Sequence, residues 1–282
     1  MKIFDAAPET WERIHLVHET CYFYSQPVEF LPHRLVLRPR EGHDAFLHTM
    51  NLTTTPASSI RWHRDLLDNS IAHAEFAEPA RELRIFSEFT ISVPPAPKGG
   101  MPPIFVPHPS QVAGIEQLVA TPYLQYIYPP DVSQLRHWFS ATGLAPAAGK
   151  TSAIFDDLAI LIHRVIRYNR REETGVQSPA ETLRLATGSC RDMAVLMIET
   201  SRSLGYPARF VSGYLESQNS RVGRGSTHAW AEIYLPERGW TSPIRLFSSV
   251  LLPMPEEPSS TTHSPGWTCR STLSSTGNST PF

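Results

Sequence analysis

A cysteine and a distant histidine stand in sequence contexts that suit nucleophilic catalysis. The cysteine lies in the run Thr187-Gly-Ser-Cys-Arg-Asp192 and the histidine in the run Ser226-Thr-His-Ala-Trp230. A cysteine attacks as its thiolate, so a catalytic site must lower a thiol pKa that is ordinarily about 8.5. Unpaired N–H groups at a helix N-terminus and a neighbouring imidazole both favour the thiolate. We therefore predict Cys190 as a nucleophile with a lowered pKa and His228 as its base.

The residues around Cys190 predict the helix that must hold it. Thr187-Gly-Ser189 supplies turn-forming and capping residues, and Arg191–Ser203 carries apolar side chains at a helical spacing. A glycine followed by proline, in Gly205-Tyr-Pro207, is expected to end this helix. Cys190 should therefore lie in the first helical turn, where the N–H groups are unpaired.

Two segments after the helix predict strands, and the second of them begins beside the histidine. Ala208–Leu215 and Ala229–Leu235 are rich in aromatic and β-branched residues and are separated by a polar loop. A single cysteine at a helix start is more often a packed residue than a nucleophile, and a single histidine is usually an ordinary polar residue. The two together in this context favour catalysis.

Residues 168–240 resemble the transglutaminase-like superfamily of papain-type thiol enzymes, in the bacterial branch whose core follows an N-terminal β domain. The matching residues of the core are Tyr168, Gly175–Gln177, Pro179–Leu183, Gly188–Asp192, Leu204–Leu215, His228–Glu232 and Gly239-Trp240. Those of the N-terminal part are Val17–Thr20, Tyr22, Pro32–Arg34, Leu37–Arg40, Trp62 and Asp68–Ser70.

This resemblance implies both a fold and a chemistry. The expected fold class is α+β, with a papain-like/transglutaminase-like core preceded by an antiparallel β-sandwich-like domain. The resemblance also implies that Cys190 attacks a peptide or side-chain amide carbonyl, that His228 transfers protons, and that a thioester forms. Water or an amine would complete the reaction, and no cofactor is expected. Crosslinking, deamidation and proteolysis all remain open.

One member of the family's triad is missing from the sequence. In the family an acidic residue follows Gly-Trp on the next strand, commonly in an aromatic-Asp-Pro-Thr run, and it orients the histidine. Here Trp240 is followed by Thr241-Ser-Pro-Ile-Arg-Leu-Phe247. Counting from a short hairpin at Pro236–Gly239 places residues 244–247 opposite His228. Those residues are Ile, Arg, Leu and Phe, none of which can replace a carboxylate.

Two other acidic residues lie near the predicted site. Glu232 shares a strand face with His228, but four strand residues place it roughly 13 Å away, so we expect a poor substitute. Asp192 is expected either to accept hydrogen bonds from N–H groups in the first helical turn or to lie on the surface.

The composition of the chain changes after Trp240. Ser, Thr and Pro account for 23 of the 42 residues from Thr241 to Phe282, which predicts a disordered tail over residues 248–282. We hypothesise a disrupted reading frame near Trp240, or a decayed or truncated copy; a divergent tail is the alternative. Translating the other two frames of the coding DNA tests the first hypothesis.

A non-catalytic binding or scaffold protein that keeps the fold is the alternative function.

Composition and charge limit the remaining organisation. The sequence predicts a β domain at 1–93, a Pro/Gly-rich linker at 94–109 and the core at 110–247. Within the core, Asp131–Ser140 and Ala153–Arg170 show helical spacing. A net charge of −2 without a strong basic block argues against nucleic acid or an anionic membrane as an obligatory partner, and charge indicates no other partner. A peptide or protein substrate is what the family resemblance implies.

The cysteines and the N-terminal residues favour a cytoplasmic location. The first ten residues contain acids and no apolar run, so no signal peptide is expected, and no segment is apolar enough to span a bilayer. Cys21, Cys190 and Cys269 have no paired spacing, which fits a reducing compartment. Cys21 is expected to be a packing residue and Cys269 to be incidental.

Three further features of the sequence could be functional, but an ordinary structural role is the expectation for each. Seven of the 12 histidines lie between His15 and His73 without an HxH or HExxH grouping, so no metal site is expected. The Arg-rich segment 164–171 is predicted to be the solvated face of a helix. Trp230 and Tyr214 could flank a substrate groove, but packing is the expected role.

Overall fold

The computed structural model describes residues 8, 10–95, 102–106, 110–144, 152–171, 173, 175–215, 226–243, 249–252 and 266–275. The chain divides into two compact units. The first unit is Met1–Ala96, Ser212–Thr227 and Phe247–Phe282, and the second unit is Pro97–Val211 and His228–Leu246.

The described residues form strands and helices in the following order along the chain. The strands are β1 Glu12–Val28, β2 His33–Leu35, β3 Phe46–Thr55, β4 Ser58–Arg64, β5 Ser70–Phe76, β6 Ala80–Val93, β7 Arg167–Tyr168, β8 Thr187–Gly188, β9 Ala208–Leu215, β10 Ser226–Leu235, β11 Gly239–Thr241, β12 Ser249–Leu252 and β13 Gly266–Ser275. The helices are α1 Ile115–Ala120, α2 Val132–Ala141, α3 Ala153–Val165, α4 Pro179–Leu185 and α5 Cys190–Ser203.

Two antiparallel sheets make up most of the first unit. One has the strand order β13-β1-β6-β3 and the other β2-β5-β4. Alternate residues of β6 are buried, including Leu83 and Ile85, as the period of two in a strand requires. These two residues share a core with Ala72 and Ala74 of β5, so the sheets pack face to face. The expected antiparallel β-sandwich-like domain is confirmed.

Two strands lie inside the tail for which the composition predicts disorder. Strand β13 pairs antiparallel with β1 from Ile14↔Ser275 to Phe23↔Gly266, and β12 pairs with the end of β9. The prediction is therefore wrong for these residues. Strand pairing is built from backbone hydrogen bonds, which a segment rich in Ser and Thr such as β13 can form without an apolar period. Strand β12 is short and mostly apolar, with the sequence Ser-Val-Leu-Leu.

The second unit packs helices against a sheet in which β11, β10 and β9 are neighbours. Its core contains Leu158 of α3, Leu196 and Ile198 of α5, and Ala231 and Ile233 of β10. Val106, inside the segment predicted to be a linker, is 2% exposed and belongs to the same core. The predicted helices at Asp131–Ser140 and in the first part of Ala153–Arg170 are confirmed as α2 and α3.

Helix α3 ends earlier than its apolar pattern suggests. It stops at Val165, and Ile166 is extended with φ −107° and ψ 116°. Arg167 and Tyr168 then form β7, which pairs parallel with β8. The prediction that residues 164–171 form one helix face is therefore wrong, because a pairing with residues about twenty positions later overrides local periodicity. No helix among the described residues is long and apolar enough to cross a membrane.

Candidate active site

Helix α5 begins at Cys190, as the sequence predicts to within one residue. Ser189 is the N-cap, in the extended conformation with φ −80° and ψ 175°. The Ser189 backbone N–H donates to Asp192 Oδ2 at 2.7 Å, and the Ser189 side chain and Asp192 together form a capping box. This pattern fixes the turn that delivers the cysteine to the first helical position.

Asp192 is the buried centre of a wider hydrogen-bond network. Its side chain has no exposed surface, and Ser189 Oγ donates to its Oδ2 at 2.8 Å. Its Oδ1 accepts the backbone N–H of Gln177 and Nη1 of Arg171, both at 2.8 Å. These donors lower the pKa of Asp192 against the opposing effect of its burial. Of the two sequence expectations for Asp192, the capping role is confirmed and the surface location is wrong.

Gly188 allows the preceding strand to approach this carboxylate. A Cβ atom on Gly188 would lie 2.9 Å from Asp192 Cβ and 3.3 Å from Gln177 Oε1. No side chain fits there without moving a buried group. The glycine is therefore required by close packing, since β8 passes directly over the capping box.

The thiol of Cys190 is half-buried, and its pKa is raised above the range of an ordinary thiol. Burial is the largest cause, because it disfavours the charged thiolate. Backbone N–H groups of Ala229, Arg191 and Cys190 and the charge of Arg191 act in the opposite direction. The predicted N–H donors are therefore present, but the prediction of a lowered pKa is wrong because burial outweighs them.

His228 lies on β10 directly before Ala229, whose N–H favours the Cys190 thiolate. This contact brings the start of β10 to the start of α5, so the two predicted site residues lie in one region of the second unit. Burial lowers the pKa of His228 below 6.5. Its ring stacks on that of Trp230, two residues along the strand, with centroids 6.3 Å apart and an interplanar angle of 24°.

The carboxylate of Glu232 forms an ion pair with Arg209. Its Oε2 accepts Nε of Arg209 at 2.9 Å and Nη2 of the same residue at 2.7 Å. The Arg209 guanidinium also lies 4.1 Å from the ring centroid of Trp240. This pairing supports the expectation that Glu232 does not substitute for the missing triad acid.

The other sequence candidates have these positions. Residues 244–247, which the sequence predicts to lie opposite His228, are outside the described residues. Tyr214 is 1% exposed and packs in the core of the first unit with Ile14 and Phe89, so its packing role is confirmed. Cys21 is also buried, as expected. In the described part of the chain, no three His, Cys, Asp or Glu side chains are grouped closely enough to hold a metal ion.

The Arg171–Asp192 ion pair is the part of the site that the sequence did not reveal. The two residues are separated by a turn, α4 and β8, and no local spacing rule connects them. Asp192 carries a capping signal, since it stands three residues after Ser189. Arg171 carries no comparable signal.

Two family profiles match this chain. The bacterial transglutaminase-like N-terminal region matches residues 14–92, and the transglutaminase-like superfamily matches residues 141–242. The uncharacterized protein Rv2569c of Mycobacterium tuberculosis is 28% identical over 235 residues, covering 80% of this chain and 74% of that protein. The uncharacterized protein ML0607 of Mycobacterium leprae is 24% identical over 239 residues, covering 81% of each.

A solved structure shares the fold. A candidate cysteine protease from Cytophaga hutchinsonii superposes with a TM-score of 0.72 at 15% identity, covering 96% of this chain and 93% of that one. At this identity the likeness concerns the fold alone. The expected α+β class with a papain-like core is thereby confirmed.

Proposed function

Because the chain belongs to the transglutaminase-like superfamily, with that superfamily's bacterial N-terminal region, we propose that it is a cysteine enzyme acting on amide bonds. Its substrate would be a peptide or protein, and its intermediate a thioester on Cys190. The supporting observation is that the start of β10 contacts the start of α5. There the backbone N–H of Ala229, the residue after His228, favours the Cys190 thiolate.

The first half-reaction forms the thioester. Burial keeps both the thiol and the imidazole uncharged, so His228 acts as a general base and takes the thiol proton while the sulfur attacks the carbonyl carbon. Negative charge then moves from sulfur to the carbonyl oxygen. The Cys190 N–H, in the first turn of α5 where N–H groups lack intrahelical acceptors, would stabilise that oxyanion.

Cleavage of the amide bond completes the first half-reaction, and the second half-reaction then releases the acyl product. The C–N bond of the tetrahedral intermediate breaks, and the protonated His228 gives its proton to the leaving nitrogen. Water or an amine next attacks the thioester, and His228 accepts the proton of that nucleophile. The C–S bond breaks, the acyl group leaves as an acid or a new amide, and the returned proton restores the thiol.

Trapping the acyl-enzyme tests this proposal. The full chain is mixed with glutamine-containing peptides and a fluorescent primary amine, and ammonia release, peptide cleavage and amine incorporation are measured. Intact-mass and peptide-mapping spectra then locate any acyl adduct. We expect the adduct on Cys190, its loss in Cys190→Ala, and a roughly 10²- to 10⁴-fold slower reaction in His228→Ala. Cys21→Ala is the matched control and should retain activity.

A non-catalytic binding role is the second candidate function. The observations favouring it are the raised pKa of Cys190 and the absence of an acidic residue among positions 244–247. Under this reading the protein folds and binds peptide, but no acyl adduct forms on Cys190 with any of the substrates above. Peptide binding that is unchanged in Cys190→Ala, together with absent turnover, would support binding over catalysis.

A further inference from the structure

Arginine is concentrated in the sequence that leads into Cys190. Residues 164–191 contain six arginines and three glutamates, whereas the whole chain has 25 Lys and Arg against 27 Asp and Glu. A locally positive segment therefore lies in a chain of slightly negative net charge. Such a segment can select ligands that carry negative charge.

The fold places part of this segment beside the nucleophile. Strand β7 pairs parallel with β8, and the Asn169 N–H donates to the Gly188 carbonyl oxygen at 2.8 Å. Two residues after Gly188, Cys190 begins α5. Residues 167–170 are exposed at all four positions. They therefore lie alongside the turn that leads from β8 into Cys190.

Some arginines of the segment are already neutralised. Arg171 pairs with Asp192 at 2.8 Å, and with Glu173 at 3.5 Å. Arg184 lies 3.9 Å from Glu181. These acidic partners offset part of the positive charge of Arg171 and Arg184, which leaves less of it for a ligand.

Three other arginines keep their charge available. Among the described residues, no carboxylate lies within 4.0 Å of the guanidinium of Arg167, Arg170 or Arg191. Arg191 Nη2 donates to the carbonyl oxygens of Arg171 and Glu173, both at 3.4 Å, which holds this cation along the same segment. Its charge also favours the Cys190 thiolate, so its field reaches the sulfur.

We propose that Arg167, Arg170 and Arg191 form a cationic rim that selects acidic substrates. The ligand would be a peptide with Asp or Glu within a few residues of the amide carbonyl that Cys190 attacks. Guanidinium groups bind carboxylates in a planar, bidentate geometry, which suits this role. The inference deepens the proposed function and rests on it for the identity of the reacting atom.

Charge-selective alkylation tests the rim without requiring turnover. Cys190 is alkylated by iodoacetate, which is anionic, and by iodoacetamide, which is neutral, and the two rates are read from the Cys190 peptide by mass spectrometry. We expect the iodoacetate/iodoacetamide rate ratio to exceed that of a free cysteine peptide by about fivefold at low salt. The double variant Arg167→Glu/Arg170→Glu should lose this excess, and Arg167→Gln/Arg170→Gln should lose part of it.

A matched control separates the rim from net charge. Arg40→Glu/Arg81→Glu makes the same change in net charge at exposed positions of the first unit and should leave the ratio unchanged. An equal loss in this control, or no loss in the rim variants, would overturn the proposal.

Protection of Cys190 by peptides then tests the substrate class. A glutamine peptide flanked by Glu should slow iodoacetamide alkylation at a concentration at least about tenfold lower than the same peptide flanked by Lys. Equal protection by both peptides, or stronger protection by a single-stranded oligonucleotide of equal charge, would overturn the inference. Protection by the Glu peptide without any acyl adduct would instead support the rim while removing the proposed catalysis.

Discussion

Burial moves the pKa values of Cys190 and His228 in opposite directions, and both shifts favour the uncharged form. A thiolate–imidazolium pair would need the reverse shifts. We therefore expect iodoacetamide alkylation of Cys190 to rise with pH and to reach half its maximum above pH 9.0. His228→Ala should leave this midpoint above 9.0. A plateau of fast alkylation between about pH 5 and 8 would show that an ion pair is present.

Asp192 is the residue whose loss should damage the site most through structure rather than chemistry. Asp192→Asn removes the charge that Arg171 pairs with and disturbs the capping of α5. Removing one partner of a buried pair costs about 3–5 kcal/mol, so we expect a loss near 3 kcal/mol in the free energy of unfolding by denaturant. Asp157→Asn, at an exposed position of α3, is the control and should change it by less than about 0.5 kcal/mol. If Asp192→Asn lowered the free energy of unfolding by less than about 1 kcal/mol, the hydrogen-bond network of Asp192 would not be a major source of stability.

At the scale of elements, local signals predicted the site better than the pairings around it. The N-cap at Ser189, the end of α5 before Gly205 and the bounds of β9 all follow from neighbouring residues, and each is confirmed. The β7–β8 and β1–β13 pairs were not predicted, because strand pairing joins residues distant in sequence. The same reason explains why the Arg171–Asp192 contact was missed.

The β10–β11 hairpin gives the missing acid a position that can be tested. Ile233 pairs with Thr241 and Leu235 with Gly239, so paired residue numbers have a constant sum. Residues 244–247 lie outside the described part of the chain, so the position of the acid is taken from the sequence, where counting from the hairpin predicts that one of these four residues faces His228. We expect one of four single Asp substitutions at 244–247 to raise the rate of acyl-enzyme formation at least about tenfold, because a carboxylate orients the histidine. Glu at the same positions is the matched comparison, and no gain at any of the four would indicate that the acid alone does not limit the rate.

Across the whole molecule, burial favours the uncharged forms of histidines and cysteines, so the stability of the fold depends on pH. The pKa values of His18, His48 and His228 are lowered, so the unfolded chain binds protons first and stability falls as pH drops below 6.5. The thiol pKa values of Cys21 and Cys190 are raised, so their contribution is lost as pH rises past 9.0. Maximal stability is therefore expected between about pH 6.5 and 9.

His18 should dominate the acid side of this curve. It is 6% exposed, and burial lowers its pKa from 6.5 to about 4. Its neutral form therefore contributes stability that is complete above pH 6.5 and is lost by about pH 4, on the order of 3 kcal/mol in total. His18→Gln keeps a polar side chain that does not titrate, so we expect a flatter dependence of the unfolding free energy on pH between 4 and 6.5. Denaturant unfolding at several pH values measures the slope, and exposed His43→Gln in the same unit should leave it unchanged. An unaltered slope in His18→Gln would mean that other groups carry the acid sensitivity of the protein.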